Sequence, residues 1–386
     1  MHASHRSGDQ GLIVMRLTHL HRWAAVAAAG TIAAGIAAGP ALARPAPPFL
    51  GRFHTLSTIA STVPANGDVN PYGVAVIRRT VGRLHAGSIL VSNFNNKANQ
   101  QGTGRTIVQI TPGGRRTLFA SISPRRLPGP CPGGVGLTTA LAVLPGGWVV
   151  VGSTPSSNGM AATARAGCLI VLGPRGRVRE TIAGHGINGP WDAAAASFGS
   201  YSDLFVTNVL NGTVAGRGAV VRRGTVLRLR LSLSSRRPPR LTSAVTIASG
   251  FPQQTNAAAF VLGPTGVGLS RGTLYVASTQ DNRITAIPGA LVRRRSAGTG
   301  RLVTAGGALA GPLGLAIAPN GNVLTVNASN GKIVETRPSG AQVATRLLDS
   351  SGHPAGAGTL FGLAVVPGGR GVYYVDDAVN TLRLLH

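Results

Sequence analysis

Gly314-Leu315-Ala316-Ile317-Ala318-Pro319-Asn320-Gly321-Asn322-Val323-Leu324-Thr325-Val326 is the stretch whose reading decides the fold. It returns as Gly362-Leu363-Ala364-Val365-Val366-Pro367-Gly368-Gly369-Arg370-Gly371-Val372-Tyr373-Tyr374-Val375. A third copy begins at Gly73, and looser ones near Ala140, Asp192 and Asn256. Apolar residues on either side of a Pro-x-Gly turn make each copy a β-hairpin. Proline presets φ for the turn, and glycine accepts the positive φ that other residues avoid. A hairpin this small cannot bury its own apolar faces. The copies must therefore stack on one another, as a propeller or a solenoid.

Working outward, the inner strand A of each repeat starts at Gly73, Ala140, Asp192, Asn256, Gly314 or Gly362. A Pro-x-Gly turn follows it at Pro145, Pro264, Pro319 and Pro367. Strand B ends in pairs such as Leu90-Val91, Phe205-Val206 and Tyr374-Val375. Asn211-Gly212 and Asn330-Gly331 are hairpin turns into strand C, read at Thr106–Ile110, Cys168–Leu172, Val226–Leu229 and Lys332–Val334. Further Pro-x-Gly turns at Pro112, Pro174 and Pro338 lead into strand D. The last repeat stops after its strand C, Asn380–Leu385, while Phe53–Ala60 precedes the first repeat and belongs to no complete one. The expected fold is all-β: a six-bladed β-propeller over residues 51–386, in which this N-terminal strand closes the last blade and leaves no open edge.

Glycine (55) and proline (25) are frequent enough for many tight turns, and 43% apolar residues suffice for a core. Residues 1–43 read as a signal peptide: a basic flank (Arg16, Arg22), a weakly apolar run from Trp23 to Gly39, and Ala41-Leu42-Ala43 before the cut. Residues 44–50 are a linker. Met1 and Met15 both stand as starts. The implied location is periplasmic or extracellular, with no transmembrane anchor after cleavage. For an exported chain, the two cysteines Cys131 and Cys168 pair as a disulfide or stay as buried thiols.

The net charge of +27 is almost all arginine, often paired, as in Arg78-Arg79, Arg236-Arg237 and Arg293-Arg294-Arg295. Such a field attracts polyanions, among them an anionic envelope polymer. The pairs are spread over separate repeats without aromatic interleaving, so specific nucleic-acid binding is not expected, and a solvated basic surface is the alternative. A monomer is expected.

The phrase Pro312-Leu313-Gly314-Leu315-Ala316, then Asn320-Gly321-Asn322, then Asn330-Gly331-Lys332-Ile333 is similar to an NHL repeat, as is Leu360-Phe361-Gly362-Leu363-Ala364 followed by Tyr373-Tyr374-Val375-Asp376. That resemblance implies a six-bladed propeller without implying one function. More distantly the chain resembles the SMP-30, or gluconolactonase-like, propellers. These hold a divalent cation with a Glu, two Asn and an Asp on the face where strand A starts. The departure is that no Glu occurs between residues 44 and 179.

Strand A starts and strand B ends share one face of such a ring. The expected ligand-binding set there is Asn93, Asp192, Asn208, Asn256 and Asp377. Asp281 and Asp376 map to the same face. Carboxylate and amide oxygens are what Ca²⁺ takes, which makes Asp192, Asn208 and Asn256 the metal candidates. Asp and Asn are equally good turn residues. His185 is a candidate general base beside this face, and Trp191 either lines a pocket or plugs a blade; no catalytic residue is assigned. The expected function is binding of a protein, glycan or small polar ligand at this face. The alternative is a metal-dependent lactonase- or esterase-type hydrolase.

Overall fold

The computed structural model describes residues 47–386; the signal peptide expected at residues 1–43 lies outside the described residues. Six antiparallel sheets form a six-bladed β-propeller. The inner strands are Val69–Val76, Leu137–Leu144, Pro190–Phe198, Pro264–Ser270, Pro312–Ile317 and Leu360–Val365. Each packs on the next and the last on the first, so they ring a central channel. The B–C and D–A loops gather on one face, here the upper, and the A–B and C–D loops on the lower.

Closure follows the expected route. Leu56–Ser61 pairs antiparallel with Thr381–Leu385, from Leu56 opposite Leu385 to Ser61 opposite Thr381, and becomes the outer strand of blade 6. The chain is pinned ahead of that strand as well. The amides of Phe49 and Leu50 each donate to the Glu335 carboxylate at 2.8 Å, and Asn320 and Asn322 donate to the same group. Four donors satisfy an acid that is fully buried. Phe49 and Leu50, placed in a linker by the sequence, are thus docked and buried.

The inner strands share one irregularity. Pro71 lies opposite Asn93 and Val74 opposite Val91, so blade 1 carries an extra residue at this point. Blades 3, 4, 5 and 6 repeat that bulge, and blade 2 has a longer one. A bulge bends the strand and re-aims its side chains. It brings the strands so close that a Cβ at Gly314 would run into Phe361 O, and one at Gly362 into Tyr72 O. Glycine is required there for close approach.

Two expectations are corrected. The inner strand of blade 4 starts at Pro264, and Asn256 is not on it. Pro264-Thr265-Gly266 has the same spelling as an A–B turn but stands at the bulge, as Pro71-Tyr72-Gly73 and Pro312-Leu313-Gly314 do. Proline opens a strand there because no ladder hydrogen bond needs its missing N–H. Asn256 instead ends the long outer strand of blade 3, Arg240–Asn256, which turns back through Phe260–Leu262 as a fifth strand. Cys131 and Cys168 are joined by a disulfide that ties the approach to blade 2 to its third strand.

Deleting residues 51–62 should abolish cooperative unfolding, because it removes the strand that closes the ring; a truncated chain that melts cooperatively contradicts closure. Cys131→Ala should cost about 3–4 kcal/mol, as expected for opening a covalent loop of this length, read from the denaturant midpoint of the oxidised protein.

Candidate functional site on the upper face

The bulges aim large side chains at the upper mouth of the channel. Tyr72, Trp191, Leu313 and Phe361 each precede the ring position held by Gly73, Asp192, Gly314 and Gly362. Tyr72 stacks on Phe361 at 4.2 Å and on Phe94 at 4.7 Å between ring centroids. Trp191 meets Tyr72 and Phe94 edge-on. Phe260 arrives from above, on the added hairpin of blade 3, and packs against Phe94 and Trp191. All of these side chains are buried. Trp191 is therefore a plug residue, and the upper mouth is closed by aromatic contacts.

The hairpin acts as a strap over that plug. It leaves blade 3 and reaches blade 1, where the Gln101 side-chain amide donates to Ala257 O (3.2 Å) and Ala258 O (3.4 Å). Phe260 holds φ +64°, a left-handed conformation costly for an aromatic residue. Asn256 shapes the turn: its Oδ1 accepts from the amides of Ala258 (2.9 Å) and Ala259 (2.7 Å).

Asp192 sits at the ring position beneath the plug. Its oxygens accept from the amides of Ala193 (2.8 Å) and Val267 (2.9 Å), which locks blade 3 to blade 4. It faces a channel cavity of about 60 Å³ lined otherwise by groups such as Val74, Leu141 and Leu363. Desolvation pushes its pKa up to about 7, against the lowering effect of the two amides.

Asn208 is buried in blade 3, its Oδ1 accepting from the Asn188 amide at 3.0 Å. The oxygens of Asp192, Asn208 and Asn256 thus serve backbone amides of three separate segments. The expected metal set is not assembled by these contacts, and among the described residues no cluster of three or more His, Cys, Asp or Glu has metal-binding geometry.

The structure does bring Asn93 and Asp377 into one network, with Asn70, at the seam between blades 1 and 6. Asn93 Nδ2 donates to Thr62 O at 3.1 Å, and the Thr62 amide donates to Asn380 O at 2.9 Å. Asn380 Oδ1 accepts from the Asn70 amide at 2.7 Å, and Asn70 Nδ2 donates to Asp377 Oδ2 at 3.3 Å. The Thr62 carbonyl only accepts, so the Asn93 NH₂ group must face it, and an ionised Asp377 takes the Asn70 NH₂ group in the same way. The Oδ1 atoms of Asn70 and Asn93 are then buried with no donor among the described residues. Burial, and secondarily the neighbouring Asp376, raises the Asp377 pKa to about 7. Asp376 is held by Arg383 at 2.8 Å and Asp281 lies 3.6 Å from Arg283, whereas Asp377 has no cationic partner among the described residues. The donor types, two amide oxygens and a carboxylate, suit a hard cation. The Glu implied by the gluconolactonase-like resemblance has no counterpart here.

Beside the closed mouth lies an open groove of about 720 Å³, between the B–C loops of blades 2 and 3 and the strap. Met160 (57% exposed), Ala161 and Val214 form an apolar wall; Arg217, Thr255 and Asn256 supply polar groups. Arg217 forms no ion pair among the described residues. His185 is an exposed residue in a left-handed turn.

No protein-family model matches the sequence, and no curated protein matches it. Solved structures share the fold. A luciferin-regenerating enzyme superposes with a TM-score of 0.54 at 11% identity, over 86% of this chain and 95% of that one. A gluconolactonase from Xanthomonas campestris superposes with a TM-score of 0.51 at 13% identity, over 86% and 88%. The likeness is one of fold, a six-bladed propeller, and the structural neighbours include a gluconolactonase, the distant resemblance noted from the sequence.

Proposed function

We propose that this chain is a binding propeller that acts outside the cytoplasm and takes a small amphipathic anion in the upper-face groove. The observation that carries this reading is the aromatic closure of the channel mouth. It moves the accessible concavity of that face sideways, onto the groove walled by Met160, Ala161, Val214 and Arg217. The groove falls in the size range of small-molecule sites and pairs an apolar wall with a guanidinium. A ligand with a carboxylate and a short apolar body fits both. Arg217→Ala should weaken binding of such an acid about tenfold or more, since a charge-assisted hydrogen bond is lost, with an unchanged melting temperature in its absence. A thermal-shift panel of small organic and sugar acids, followed by calorimetry, reads it. No binding by any acid, or equal binding by the variant, refutes the groove reading.

A second reading, hydrolysis of lactones or esters with a bound cation, is favoured by the orphaned Oδ1 of Asn70, whose amide bonds Asp377, and by that of Asn93 in the same hydrogen-bond network. These three side chains would hold the ion, and the cation would polarise a carbonyl. Asp377 and Asp192 have folded pKa values raised above the ordinary carboxyl value of 3.8. Folding therefore favours their protonated forms. Their contribution to stability is full below pH 4 and is lost as pH rises through about 7. The metal-free protein should melt several degrees lower at pH 8 than at pH 5, and Asp377→Asn should remove part of that slope.

A cation at the seam binds the ionised carboxylate. Millimolar Ca²⁺ should then raise the melting temperature at pH 8 but not at pH 5, with a gain of about 2.7 kcal/mol at a hundredfold excess over Kd. Loss of the shift in Asn93→Ala or Asp377→Asn locates the ion. Absence of any shift removes the support for the hydrolase reading.

A further inference from the structure

Arginines scattered along the sequence converge in space. Every A–B and C–D loop ends on the lower face, because all six inner strands run in the same sense around the ring. Arg78, Arg175, Arg236, Arg294 and Arg370 are exposed there, from blades 1, 2, 3, 4 and 6, and Arg337 of blade 5 is half-buried. No Asp or Glu occurs in any of these loops. Of the acids near this end, Asp203 is buried and engaged by Arg230 through two bonds, Glu335 is buried and engaged by four donors, and Glu180 is half-buried on the outer strand of blade 2. The upper loops, by contrast, contain Asp68, Asp281, Asp349 and Asp377. Arg78, Arg175, Arg236, Arg294 and Arg370 form no ion pair among the described residues.

Apolar side chains share this face. Val292, 76% exposed, stands in the C–D loop of blade 4 beside Arg293-Arg294-Arg295. Phe198, 40% exposed, lies at the A–B turn of blade 3. Around the lower channel mouth, depressions of about 500 and 470 Å³ flank Val76 and Arg78 and are walled by Val143, Ile317 and Val365.

We infer that the lower face docks on an anionic lipid surface. The arginines form a ring around the channel mouth, not a track. A plane of phosphate headgroups meets all blades at once, while a linear polyanion meets only those along one line. Guanidinium pairs with phosphate in bidentate geometry. Val292 and Phe198 enter an apolar medium at a bilayer interface and find none on a phosphodiester or sulfated chain. With the lower face on the lipid, the groove on the opposite face stays open to solvent.

The test is co-sedimentation of the protein with vesicles of pure phosphatidylcholine and of phosphatidylcholine with about a third phosphatidylglycerol, over a range of salt. Binding to the anionic vesicles alone, falling as salt rises, is expected. Changing Arg293, Arg294 and Arg295 to Glu should weaken it by at least about 50-fold, since each basic residue near the surface contributes about fivefold. Val292→Ser, which removes the apolar contact without changing charge, should weaken vesicle binding and leave heparin binding unchanged, and Arg126→Glu on the upper face should have no effect; unchanged melting temperatures show that the variants fold. Equal binding to both vesicle types overturns the proposal. So does tighter binding to heparin or duplex DNA than to vesicles at the same salt with Val292→Ser silent, which would assign the face to a polymer. The unsubstituted protein, compared across vesicles, heparin and DNA, decides even if a variant fails to fold.

Discussion

Six inner strands must meet around a channel too narrow to hold side chains from all of them, and the remaining features follow from how that crowding is resolved. The bulge at the start of each inner strand bends the backbone inward, and glycine at the next position lets adjacent blades touch main chain to main chain. Blades 2 and 3 are the exceptions, with no glycine in Leu137–Leu144 and Asp192 at the ring position of blade 3. Where Gly73, Gly266, Gly314 and Gly362 leave no room for a Cβ, blade 3 carries a carboxylate that bonds the amide of Val267 in blade 4. Its elevated pKa reflects burial without a cation, so it joins two blades at a cost that grows as it ionises.

The same geometry decides what the upper face can do. The residue ahead of each ring position points at the channel mouth, and here those residues are Tyr72, Trp191, Leu313 and Phe361. With Phe94 and the strained Phe260 of the strap, they shut the opening through which a ligand would otherwise approach the channel. What stays accessible is lateral, the groove beneath Met160 and Arg217, while Asn70 and Asn93 of the polar seam are buried. At the seam, as at Asn327 and Gln253, an amide oxygen is left without a donor while its NH₂ group is held by an acceptor.

Much of this was legible from residue order. The third strands at Thr106–Ile110 and Cys168–Leu172 were read to the residue, and the closing strand within a few residues. The error at Asn256 has a specific source. Pro-x-Gly serves both as the turn after an inner strand and as the bulge at its start, and the two differ in hydrogen bonding, not in spelling. The plug went unassembled because Tyr72, Phe94, Trp191, Phe260 and Phe361 come from five distant parts of the chain. A signal was present: aromatics make up only 4% of the chain, and three of them stand immediately ahead of the ring position.

Local sequence by itself determined the repeat, the number of blades and the closure, because alternation, turn chemistry and an unpaired strand at each end are properties of neighbouring residues. Tertiary structure alone decided which side chains share a neighbourhood. Arginines from six blades came to lie on one face, Asn70 and Asn93 came to share a network with Asp377, and Asp192, Asn208 and Asn256 were drawn to separate partners. The physical reason is that a propeller is closed by contacts between strands remote in sequence. A shift of register within one blade, invisible to its neighbours along the chain, changes which side chains reach the channel and which form a loop beside it.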